Sequence, residues 1–169
     1  MNKIIFTSIM IGSFLLSSAC ILTRYHNPDP FYSSTGEWDS IRFPLIKPYE
    51  AVAIVGGNGW WINLPVILGE PTLYGSVQDV QKVSVVNDVI LAYTPNKPDF
   101  SQGMLEQVQV YYWYVIIPDK KIQRGFENER AFMEYIQKSG INKVVWENPD
   151  LLYRRFESTG CLDWIPECQ

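Results

Sequence analysis

Three cysteines, one histidine and 18 acidic residues carry most of the reactivity in this chain, and their spacing decides what chemistry is open to it. Cys161 and Cys168 are separated by six residues, with Gly160 just before them and Pro166 inside, so a small closed loop is sterically reasonable. In the chain-entropy description such a loop contributes roughly 2–3 kcal/mol. A metal half-site lacks a second ligand pair nearby and a redox centre would show a two-residue spacing, so a structural disulfide is the favoured reading. His26 lies between Tyr25 and Asn27 in a stretch that reads as a spacer, where nothing would hold its ring rigidly against a nucleophile. Histidine catalysis and histidine-based metal sites are set aside on that ground. The acids show no calcium-loop spacing, and no cofactor is expected. Gly56, Gly57, Asn58 and Gly59 invite a phosphate-loop reading, but they fit neither a dinucleotide fingerprint nor a P-loop, and a hairpin turn is favoured. Glu127, Glu129 and Glu134 crowd a helix start, where acids favour the helix dipole. Two acids meeting in a cleft remain the one route to catalysis, as a small carboxylate-dependent hydrolase.

Cys20 belongs to a different context. Lys3 precedes an apolar run over residues 4–16, and the small residues Ser17, Ser18 and Ala19 lead to the cysteine. A cationic start, a short greasy stretch and small residues before a cut are the physical requirements of a secretory signal, so residues 1–19 read as a cleaved signal peptide. About 13 apolar-rich residues fall short of the roughly 20 needed to cross a bilayer. The segment resembles a lipoprotein signal, which implies acylation of Cys20, although Ser17 stands where that pattern has Leu, Val or Ile. Ser17 and Ala19 also satisfy ordinary signal cleavage at the same bond. With Cys20 acylated, the odd cysteine of an exported chain is accounted for and Cys161 and Cys168 remain as a pair. Ile21 is not an acidic retention signal, which by the same resemblance favours an outer-membrane or periplasm-facing anchor over a soluble secreted protein.

The formal net charge of −4 and the lack of a basic block exclude nucleic acid as an expected partner; Arg154 with Arg155 and Lys120 with Lys121 are isolated pairs. Without residues 1–19 the chain has about 150 residues, the size of one domain with a real core. Residues 20–48, rich in Pro, Ser and Asp, read as the lipidated amino terminus and an irregular spacer, and residues 49–169 as a single domain.

Within that domain, residues 50–55 and Trp60–Leu64 flank the glycine turn as a hairpin, and Lys82–Val86 and Val89–Tyr93 flank Asn87 and Asp88 as a second. Residues 106–117 form the longest strand candidate, ended by Pro118. The period then changes. Asn128 caps a helix with Phe132, Tyr135 and Ile136 on one face and Gly140 at its exit; Asn148 and Pro149 start another, closed by Gly160. The expected fold is α+β, an antiparallel sheet of about five strands followed by two C-terminal helices.

An aromatic strand running into an Asp-Lys turn over residues 112–121, then a helix with an acidic start and a Gly-Ile exit, resembles small exported bacterial lipoproteins of uncharacterised activity. The resemblance implies compartment and fold and transfers no functional residue. The surplus of rings, 6 Trp and 10 Tyr, supplies the remaining hypothesis. Tyr111 and Trp113 alternate onto one strand face and, with Trp60 or Trp61 from the hairpin, could bind an envelope protein or glycan. The competing expectation is that the helices cover this face. The chain therefore reads as a lipid-tethered interaction module, with the small hydrolase as the alternative.

Overall fold

The computed structural model describes residues 27–57, 59–65, 75–95, 111–166 and 168. Among these residues, eight strands and three helices follow one another as α1 (Pro30–Ser33), β1 (Ser40–Pro44), β2 (Glu50–Ile54), β3 (Trp60–Leu64), β4 (Gly75–Val80), β5 (Lys82–Val86), β6 (Val89–Tyr93), β7 (Trp113–Ile117), β8 (Ile122–Phe126), α2 (Glu129–Lys138) and α3 (Pro149–Thr159). The α+β class stands. The single sheet of about five strands does not: β1 to β4 form one antiparallel meander and β5 to β8 a second. Only Gln81 separates β4 from β5, and its N–H already donates to Tyr93 O in the second sheet, so the chain changes sheet without a turn.

The two sheets share one core. Phe43, Ala51, Trp60, Ile62 and Val77 of the first meet Val83, Ile90, Ala92, Tyr114 and Ile116 of the second, joined by Leu152 and Phe156 of α3 and by Leu162 and Ile165 of the tail. On the far side of the second sheet, Leu91, Val115, Ile117 and Phe126 pack against Phe132 and Ile136 of α2. The second sheet is thus buried on both faces, which is why β6 is a nearly continuous apolar run. Full burial of a Phe or Ile is worth roughly 1.5–3 kcal/mol, so Phe132 and Ile136 alone anchor α2.

Local signals set the element ends. Asn87 and Asp88 both adopt positive φ, which matches the primed turn that suits right-twisted strands. Asn128 Oδ1 accepts from Ala131 N–H, and Asn148 Oδ1 from Asp150 and Leu151 N–H. Gly160 ends α3 in the left-handed conformation, its N–H donating to Phe156 O at 2.7 Å.

Residues 27–48 are not an irregular spacer. Phe43 and Leu45 are fully buried and Tyr32 is in the core, so α1 and β1 belong to the domain. Glu37 N–H donates to Ser40 O and Arg42 N–H to Thr35 O, folding residues 35–37 back along the edge of β1. Asn27 is pinned to the opposite end of the chain, its Nδ2 donating to Pro166 O at 3.0 Å. Residues 1–26, including Cys20 and His26, lie outside the described residues, as do residues 106–110 of the long strand candidate.

Candidate functional site

Strand alternation decides what β3 offers. Trp60, Ile62 and Leu64 point into the core, leaving Trp61 half-buried and Asn63 exposed on the outer face of the first sheet. Trp60 is 5% exposed, lies against Phe43 and Tyr153 with ring centroids 5.1 and 5.7 Å away, and donates from Nε1 to Asp150 Oδ1 at 2.8 Å. That bond ties β3 to the first turn of α3.

Opposite Trp61 the ladder is irregular. Trp60 pairs with Val80 and Ile62 with Val77, so Trp61 alone faces both Gln78 and Asp79: a β-bulge. Asp79 takes a left-handed φ of 52° there, an unusual conformation for a residue with a side chain. Gly59, with φ 85°, makes room for it, because a Cβ at that position would overlap Asp79 Oδ1. The result is a groove of about 270 Å³ lined by Gly59, Trp60, Trp61, Asn63, Ser76, Gln78 and Asp79. A second hollow of about 410 Å³ lies over the end of β2, between Ile41, the 54–57 turn, Trp60 and Asp150.

The other two aromatic candidates are elsewhere. Trp113 sits beneath α2, stacked on Phe132 at 5.1 Å and flanked by Tyr93 at 4.4 Å and Trp146 at 5.7 Å. Tyr111 lies on the other side of the second sheet, flat against Gly125, where any Cβ would overlap its ring. Tyr114 meets it edge-on at 6.2 Å and donates from its hydroxyl to Tyr111 O. Burial, and then the neighbouring Tyr111, push the Tyr114 hydroxyl up to about 12. Burial also raises Tyr111, with Glu127 adding to the shift and Arg124 opposing it. Trp60, Trp61, Tyr111 and Trp113 therefore do not form one face: Trp60 and Tyr111 turn into the shared core, Trp61 lies on the outer face of the first sheet and Trp113 lies beneath α2. Of the four, Trp61 is the ring on a sheet face that no described helix covers.

Cys161 and Cys168 are disulfide-bonded, with Cα atoms 5.6 Å apart. The loop they close carries Leu162 and Ile165 into the core, and Trp164 Nε1 donates to Pro44 O at 3.0 Å. Among the described residues no three His, Cys, Asp or Glu side chains gather as a metal site, and no helix is long and apolar enough to cross a membrane. Glu129 sits in the first turn of α2 and Glu134 pairs with Arg130, the capping and surface roles such acids ordinarily take.

The architecture defines a class, an α+β domain of two four-stranded antiparallel meanders with one helix on the outer face of the second. Compared with protein-family models, curated proteins and solved structures, the chain finds no match. Sequence reasoning named Trp61 alongside Trp60, Tyr111 and Trp113, leaving Trp60 and Trp61 as alternatives, and missed the polar residues beside it. The step from Trp61 to Asn63 follows from alternation, and Ser76 and Gln78 alternate onto the same face of the paired strand, whereas Asp79 reaches the groove through a register shift that has no local signature.

Proposed function

We propose that this chain is a lipid-tethered interaction module of the cell envelope, making contact through the outer face of the first sheet around Trp61. The half-exposed Trp61 beside a bulge-shaped groove carries this reading, because bulges recur where a strand re-aims side chains toward a ligand. The Cys161–Cys168 bond suits the oxidising compartment an exported chain enters. The way the chain leaves the domain agrees with a tether. Asp29 pairs with Lys47 at the β1–β2 turn, while Gly59, Trp60 and Asp79 lie at the other end of the sheet. The groove runs along β3 from Asn63 to Gly59, and its Gly59–Asp79 end lies about one strand length from that turn. The hydrolase alternative has no comparable support: Asp150 accepts the Trp60 indole N–H, and Asp79 lies against Gly59.

Photo-crosslinking tests this reading. A photoreactive phenylalanine at position 61 of the full chain, in intact cells, should give discrete adducts. The same group at Arg130, exposed on α2, should give none of them. Adducts common to both positions, or none at 61, would refute the assignment of this face.

A further inference from the structure

We infer that the bulge groove is a saccharide subsite for an uncharged sugar ring, with Trp61 as the stacking platform and Asn63, Ser76 and Gln78 as the hydroxyl-reading groups. This inference rests on the preceding assignment of the face and narrows its ligand. Three features of the groove lead to it.

The first is the strained geometry. Residues held in sparsely populated conformations persist only where surrounding structure over-determines them, and they cluster at ligand sites. Here a non-glycine residue at φ 52° and a glycine at φ 85° meet across the strand pair, and the positive φ favours glycine at position 59, where a Cβ would also displace the Asp79 carboxylate. A regular ladder would have paired Trp61 with a single residue; the bulge sets two beside it.

Spacing gives the second feature. Asn63 and Ser76 are direct register partners, so their Cβ atoms lie about 5 Å apart on the outer face. Trp61 is two residues from Asn63 on the same side, a rise of about 7 Å. An indole face and a pair of neutral hydrogen-bonding groups at that separation match a pyranose, which presents one apolar C–H face and an equatorial rim of hydroxyls. Amide and hydroxyl side chains both donate and accept, as a sugar hydroxyl requires.

Charge is the third feature. Among the described residues the groove lining contains one carboxylate, Asp79, and no cation, so a uronate, phosphate or sulfate group would meet like charge there. Uncharged rings, including N-acetylated ones, meet no such cost.

Saccharide titration of the full chain, purified from membranes in a detergent without a sugar headgroup and followed by tryptophan fluorescence and calorimetry, tests the inference. N-acetylglucosamine tetramer and cellotetraose are compared with tetragalacturonate. At least one neutral oligosaccharide should bind, Trp61→Ala should weaken it about tenfold or more, and Gln78→Ala should weaken it several-fold. Trp61→Phe should retain part of the affinity, and Trp38→Ala, at a 91% exposed position outside the groove, should leave it unchanged. If Trp61→Ala fails to fold, Trp61→Phe and Gln78→Ala carry the test. Neutral-sugar binding indifferent to these changes, tighter binding of tetragalacturonate, or no neutral-sugar binding up to about 10 mM would overturn the inference. Specific crosslinking at position 61 without saccharide binding would remove the sugar and leave the interaction face standing, whereas loss of both would remove both.

Discussion

Tyr114 illustrates how a single buried hydroxyl links packing to pH. Its ordinary value is 10.0, and burial with Tyr111 nearby lifts it to about 12 in the folded protein. Between those values the unfolded chain ionises while the native one resists, so the contribution is intact below pH 10 and is lost as pH rises toward 12. Denaturant midpoints measured across that range should fall in the native protein. In Tyr114→Phe the fall should be shallower, from a starting stability lower by about 1 kcal/mol for the lost bond to Tyr111 O. Neighbouring Gly125 matters through proximity, since the Tyr111 ring occupies the space a side chain would need. At this scale the outward aim of Trp61 was legible in the alternation of β3. The placement of Asp79 was not, because a bulge depends on how two distant strands pair rather than on either strand alone.

Elements with strong local chemistry were the readable ones. The Asn caps of α2 and α3, the glycine exit of α3 and the Asn87-Asp88 turn satisfy backbone groups within a few residues of themselves, so their signals are short-range. Strands β1, β4 and β8 escaped detection. Arg42 and Pro44 interrupt β1, the bulge breaks alternation in β4, and Gln123 and Gly125 dilute β8. Each is held by partners far away in sequence; Gln123, for example, donates to Tyr49 Oη and to Pro65 O. The Cys161–Cys168 loop is a further such constraint, clamping the segment that delivers Leu162 and Ile165 to the core. The double substitution to serine should lower unfolding free energy by about 2.5 kcal/mol in the chain-entropy description. Denaturation with and without reductant checks this: the variant should match the reduced wild-type protein and be insensitive to reductant.

For the whole molecule, the class was visible as strands followed by helices, whereas the division into two sheets was not. A sheet switch across Gln81 leaves no turn residues behind, so nothing in the sequence marks where β4 ends and the second sheet begins. The aromatic surplus likewise served mostly to fill a core that seals one sheet on both sides. The proposed tether is tested at this scale: intact mass spectrometry of the membrane fraction should find the chain cut before Cys20 with a diacylglyceryl-sized addition, absent in Cys20→Ser. Cleavage without added mass would make the protein unanchored and leave Cys20 a spare thiol. The bond from Asn27 Nδ2 to Pro166 O has a consequence for how the fold loosens. Chain ends are where domains ordinarily fray first. Here the first and last described segments clasp each other, making the molecule close to a ring. Breaking the circle at the exposed Asn87-Asp88 turn while joining residues 27 and 168 should leave both sheets' interior contacts in place.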